Sequence, residues 1–80
     1  MVKIFNIALR GKTISCDYLP EDSTLKGHIE VNTETGEIET VVYSKYKYAK
    51  ETYASFAKRK LIDVYKDGEP FPDQAVSMWY

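Results

Sequence analysis

His28 and Glu30 stand two residues apart in the run Gly27-His28-Ile29-Glu30-Val31-Asn32. In an extended strand that spacing puts both side chains on one face. Glu39 falls across from Glu30 if the following segment folds back as a hairpin. One imidazole and two carboxylates are a donor set for a divalent cation. His28, Glu30 and Glu39 are therefore the candidate metal ligands. Their spacing lacks the specificity of paired Cys-x-x-Cys motifs, and the same residues also suit a solvated polar sheet face.

A second chemistry is written in lysine and tyrosine. On a helix, Lys47, Lys50, Ala54 and Lys58 form one row with Tyr65 at its end. Lysine neutralises phosphate and tyrosine stacks on bases, so Lys47, Lys50, Lys58 and Tyr65 are the candidate nucleic-acid contacts. Lys45, Arg59, Lys60 and Lys66 lie on other sides, and a continuous stripe would be a stronger signal.

Two further patterns carry nothing. Gly11-Lys12-Thr13 has the ending of a phosphate-binding loop, but Asn6 stands where that motif needs its first glycine, and strand formers follow it instead of a helix. The single cysteine and the single histidine, Cys16 and His28, alternate onto opposite faces, whereas a Cys–His pair needs hydrogen-bond reach. Cys16 reads as a small buried hydrophobe. The residues meet so little of what an active site requires that no enzymatic activity and no cofactor are expected.

These residues need elements to hold them. Val2 to Leu9 and Thr13 to Tyr18 are rich in strand formers, with a hairpin turn at Arg10-Gly11. Pairing about that turn sets Leu9 opposite Lys12, Ile7 opposite Ile14, Phe5 opposite Cys16 and Lys3 opposite Tyr18. Phe5, Ile7, Leu9, Ile14, Cys16 and Tyr18 then share the core face. Val2, Ile4, Asn6, Ala8, Thr13, Ser15 and Asp17 share the other. Leu19 to Thr24 is a polar connection containing Pro20.

His28 to Asn32 and Glu37 to Tyr43 make a second hairpin. Its loop is Thr33-Glu34-Thr35-Gly36, with Gly36 suited to a left-handed position. Val31 then faces Ile38, Ile29 faces Thr40 and Gly27 faces Val42. Glu30 faces Glu39, and directly opposed like charges are destabilising. Either the register shifts or a positive charge relieves them.

The stretch from Ser44 to Gly68 reads as one amphipathic helix. Ser44 is its expected N-cap, and Tyr46, Ala49, Tyr53, Phe56, Ala57, Leu61 and Val64 make its apolar stripe. Asp67-Gly68 before Pro70 is the stop signal. A competing pattern ends the helix near Lys60 and makes residues 61–66 a strand. Gln74 to Tyr80 reads as a last strand.

The order is β-β-β-β-α-β. It predicts an α+β fold, an antiparallel sheet of two hairpins plus a C-terminal strand, with one helix packed on one face. Eighty residues suit a single domain. A domain this small is marginal without a helper such as an oligomeric partner, and one cysteine forbids an internal disulfide. The first residues are too interrupted for a signal peptide, and no run approaches the about 20 apolar residues of a membrane span. A soluble protein of the reducing cytoplasm is expected, with no membrane partner.

Net charge is −1, but its distribution is uneven. Residues 1–44 carry −3 and residues 45–66 carry +5. Charge asymmetry of this kind is informative about partners. Seven tyrosines and one tryptophan enrich the chain in residue types that favour interfaces. Val2, Ile4, Val41 and Tyr43 are expected on the sheet face that one helix cannot cover, and Trp79 and Tyr80 extend the aromatic surface. These six are the candidate protein interface. The chain is thus expected to be a small non-enzymatic binding or regulatory protein, a homodimer through its helix-free face. Nucleic-acid binding by the Lys/Tyr-bearing helix is the alternative.

Overall fold

Gly11, at φ 60°, turns the chain between strand β1 (Val2–Arg10) and strand β2 (Thr13–Pro20). The loop is Gly11-Lys12, because Arg10 pairs with Thr13. Glycine in a left-handed conformation at the first of two loop positions matches the right-handed twist of the flanking strands. The structure is a computed structural model, which describes residues 1–78. Three more strands follow, β3 (Gly27–Asn32), β4 (Ile38–Val42) and β5 (Gln74–Ser77), with helix α1 (Lys50–Asp67) between β4 and β5. The sheet has the order β4-β3-β2-β1-β5, and every neighbouring pair is antiparallel. This is the expected α+β fold, with a single helix on one face. Because β4 and β5 are opposite edges, the helical connection must cross the sheet. That crossing lays α1 over the core side chains.

The first hairpin departs from the expected register. Leu9 pairs with Ile14 and Ala8 with Ser15, but Phe5 pairs with Asp17, Ile4 with Tyr18 and Val2 with Pro20. Asn6 and Ile7 together oppose Cys16, so β1 carries a bulge. Asn6 supplies the bulge's left-handed residue, at φ 53°. Asparagine tolerates that conformation better than most residues. Its amide donates to Asp17 Oδ2 at 2.9 Å.

One extra residue inverts the alternation on either side of it. After the bulge Ile7 and Leu9 pack against the core, as expected. Before it, Val2 and Ile4 do so, and both are fully buried. Phe5 moves to the open face, half-buried beside Asp17. The expectation that Val2 and Ile4 lie on the uncovered face is therefore corrected. They are core residues and present nothing to a partner.

The second hairpin is also bulged. Asn32 Oδ1 accepts the amides of Glu34 and Thr35 at 2.8 and 3.1 Å, and Gly36 takes the left-handed position at φ 75°, closing the loop as expected. Val31 faces Ile38, as expected. Beyond that pair, Glu30 faces Thr40, Ile29 faces Val41 and His28 faces Val42. Glu39 is the extra residue. The bulge removes the like-charge opposition of Glu30 and Glu39. It also turns Val41 toward the core, against which it packs half-buried, and turns Val42 out, 60% exposed. This corrects the placement of Val41 on the uncovered face.

α1 is shorter at its start than the sequence suggests. Ser44 is buried in the β4–α1 connection and is not its N-cap. The Ser44 amide donates to the Tyr18 hydroxyl at 3.3 Å, its hydroxyl donates to the Leu25 carbonyl, and the same oxygen accepts the Tyr46 amide at 3.1 Å. These bonds hold the chain out of a helix until Ala49, which caps α1 at φ 51°. A left-handed residue cannot continue a right-handed helix. Tyr46 and Lys47 therefore lie outside the helix, on the connection. Residues 61–66 are helical, and Gly68 ends the element with its amide on the Tyr65 carbonyl at 3.1 Å.

Ala54, Ala57, Leu61 and Val64 are the buried stripe of α1. Two alanines let the helix approach the sheet closely over Ile4, Ile14, Cys16, Tyr18, Ile29 and Val31. Each fully buried Val, Leu or Ile contributes about 1.5–3 kcal/mol. Gly27 serves the same layer in another way. A Cβ there would lie 2.4 Å from the ring of buried Tyr18, so only glycine allows that ring to cross β3. β5 spans four residues rather than the expected run to residue 80. Trp79 and Tyr80 lie outside the described residues.

Candidate functional site

The bulges and the alternation of β2 and β3 build a polar cluster on the face away from α1. Asp17 and His28 are directly paired residues of β2 and β3, and Glu30 is two along from His28 on the same side. His28 Nδ1 lies 2.8 Å from Asp17 Oδ1, and His28 Nε2 lies 3.1 Å from Glu30 Oε2. Asn6 and Lys26 complete the shell around Asp17, with Lys26 Nζ at 3.6 Å.

The electrostatics follow from the hydrogen-bond inventory. A neutral imidazole donates from one nitrogen only, whereas the imidazolium donates from both. Burial works to lower the His28 pKa, but hydrogen bonds and charge from Asp17 and Glu30 outweigh it and raise the pKa above its ordinary value. Burial likewise works to raise the Asp17 pKa. Hydrogen bonds from Asn6 and His28 and the charge of Lys26 outweigh it, and the carboxyl is held below its ordinary value. The cluster is a hydrogen-bonded chain across two strands, ionic when His28 is protonated, with both imidazole nitrogens engaged.

That arrangement bears on the expected metal ligands. The structure brings His28 and Glu30 together but not Glu39, which the bulge in β4 re-aims. Glu39 accepts from Thr13 Oγ1 at 2.8 Å and from Asn32 Nδ2 at 3.4 Å. Among the described residues, no group of three or more His, Cys, Asp and Glu side chains is arranged to hold a metal ion. Cys16 is buried beneath α1, and burial followed by the nearby Asp17 charge pushes its thiol up to about 12. It remains a protonated thiol near neutral pH, on the side of the sheet away from His28.

Around the ionic chain, the open face mixes apolar and charged groups. Phe5 and Leu19 are half-buried there, and Val42 and Val76 are 60% and 40% exposed. Arg10, Ala8, Thr13, Ser15 and Glu30 line a shallow groove beside the cluster.

The expected nucleic-acid row is divided among three places. Lys47 is exposed on the β4–α1 connection, Lys50 begins α1, and Lys58 flanks the buried stripe half-covered. Ala54, in the middle of that row, is a core residue. Tyr65 is exposed near the far end of the helix. Tyr43, expected in the protein interface, is 39% exposed at the end of β4, with Lys50 Nζ 5.3 Å from its ring centroid. Tyr43 thus belongs to the connection into α1.

Sequence reasoning missed Asp17 as the partner of His28, and Phe5 and Val42 as open-face residues. Phe5 and Val42 follow from the two bulges, and Asp17 from the unbroken pairing of β2 with β3. One signal was visible: the apolar residues of β1 change phase at Asn6, a residue type that favours left-handed backbone. No protein family, curated protein or solved structure matches the chain.

Proposed function

We propose that this chain is a small non-enzymatic binding or regulatory protein, acting in the cytoplasm through protein–protein contacts, and that its partner is a second copy of itself. The observation that carries this reading is the face left uncovered by α1. It presents Phe5, Leu19, Val42 and Val76 around the Asp17–His28–Glu30 hydrogen-bonded chain. A two-fold interface must be complementary to itself. A face bearing Lys3, Arg10 and Lys26 together with Asp17, Glu30 and Glu39 meets that requirement, because cations of one copy have carboxylates to meet on the other.

Size sets the expected strength. Five strands about 4.8 Å apart and four to nine residues long give a face roughly 20 Å on a side. That is roughly half of the about 800 Å² per partner of a standard stable interface, so the contact is a weak one. A dimer dissociating in the micromolar range is the expectation. Sedimentation velocity across a dilution series tests it. Replacing the exposed pair, Val42→Lys and Val76→Lys, should yield a monomer with an unchanged circular dichroism spectrum. A wild-type chain that stays monomeric up to about 200 µM, well above that range, would remove the self-association reading.

A further inference from the structure

The sequence from Tyr43 to Lys50 alternates with unusual regularity: Tyr-Ser-Lys-Tyr-Lys-Tyr-Ala-Lys. Three lysines and three tyrosines fall in eight residues with no acidic residue among them. The fold gathers them at one end of the molecule, where β4 leaves the sheet and α1 begins. Ser44 is pinned inside by its bonds to Tyr18 and Leu25, so the segment is anchored at its base. Tyr46 stands edge-on to Tyr53 of α1 at 5.5 Å between centroids, and edge-on to Tyr48 at 6.1 Å. Tyr48 itself is 66% exposed. A large aromatic ring is thus held out toward solvent against Tyr46, which is itself backed by Tyr53.

Among the described residues, the lysines beside it are not neutralised by carboxylates. Lys45, Lys47 and Lys50 are exposed, and among the described residues none forms an ion pair with a carboxylate. Lys12 and Lys26 elsewhere on the molecule do. Lys50 instead lies over the Tyr43 ring. The nearest acidic residue along the chain is Glu51, in the first turn of α1.

Cations that track a backbone, interleaved with rings that accept stacked bases, are the elements of single-strand recognition. We propose that the β4–α1 connection binds single-stranded nucleic acid, with Lys45, Lys47 and Lys50 on phosphates and a base stacked on Tyr48. A flexible strand can bring a phosphate and an unstacked base to this short segment together. In a duplex the bases are already stacked, and the tyrosine has no face to meet. The segment lies apart from the open sheet face, so this activity does not require the dimer proposed above and survives its loss.

Fluorescence anisotropy with a labelled oligothymidylate and a labelled oligouridylate, each about 20 nucleotides long, tests the proposal. Binding should weaken with salt at a log–log slope of roughly −2, the value for three neutralised phosphates on a single strand. Tyr48→Ala should weaken binding by roughly 5- to 150-fold, the range for loss of one stacked base, while Tyr48→Phe keeps the wild-type affinity. The double variant Lys45→Gln, Lys47→Gln should lower the slope to roughly −0.7. It reports independently if Tyr48→Ala loses its fold by circular dichroism. No binding at low salt, wild-type affinity in folded Tyr48→Ala, or equal binding to a duplex of the same length would overturn the proposal. Capture by phosphatidylserine vesicles without capture of either oligonucleotide would overturn it too.

Discussion

His28 satisfies Asp17 and Glu30 together only as an imidazolium, and this ties the fold to pH. Its pKa in the folded protein is raised above the ordinary 6.5. The stabilisation is therefore present in full below pH 6.5 and is lost as pH rises through the higher folded value. Asp17 runs the other way. Its lowered pKa contributes stability above pH 3.8 that is lost as pH falls through the folded value. Melting temperatures should therefore fall as pH rises above 6.5, and His28→Gln should flatten that fall. Identical profiles for the two proteins would show the ionic chain to be energetically silent. Gly27 makes a sharper demand. Tyr18 is buried and its hydroxyl accepts from the Ser44 amide, so the ring cannot swing away from a new Cβ at 2.4 Å. Gly27→Ala should cost about 1–3 kcal/mol in a denaturant titration, the usual range for forced overpacking.

At the scale of elements, the bulge in β1 decides which residues are core. Without it, Val2 and Ile4 could not share a face with Ile7 and Leu9. Asn6 holds the bulge by its left-handed backbone and by its bond to Asp17. Asn6→Ala removes the bond and leaves a Cβ residue in a strained conformation, for an expected loss of about 1–3 kcal/mol. Asn6→Gly keeps the backbone free and loses only the bond, so it should be the milder change in the same thermal melt. If both cost the same, the left-handed conformation is not what Asn6 contributes. The bulge in β4 has a parallel effect. It separates Glu39 from Glu30, turns Val41 into the core and turns Val42 out. The expected protein interface changed membership for this reason. The β4–α1 connection adds the third local determinant, because Ala49 starts the helix late and leaves Lys45 to Tyr48 as a presented segment.

For the whole molecule, the governing fact is one helix for two sheet faces. In a dimer that buries the open face, the folded state gains stability by mass action, so the melting temperature should rise with protein concentration. Val42→Lys with Val76→Lys should abolish that dependence. A melting temperature independent of concentration in the wild type would mean that the face is simply solvated, as antiparallel sheets permit. The two proposed surfaces are separable. The sheet face carries both signs of charge, while the connection into α1 carries only positive charge. Salt should therefore act far more steeply on oligonucleotide binding than on dimerisation.

The sequence by itself determined the elements and their order. Strand formers, the turn at Gly11, the loop closed by Gly36 and the stop at Gly68 are local signals, read over a few residues each. They were enough for an α+β fold with an antiparallel sheet and one covering helix. Beyond the pair of Val31 and Ile38 next to its turn, register was decided by tertiary structure. A strand's alternation has period two, so one inserted residue exchanges its faces. Whether a residue is inserted depends on which arrangement buries Val2, Ile4 and Val31 in the core with α1 and separates Glu30 from Glu39. That balance involves segments far apart in the chain. The same reason hid Asp17 from sequence reasoning: its partnership with His28 exists only once β2 and β3 are paired.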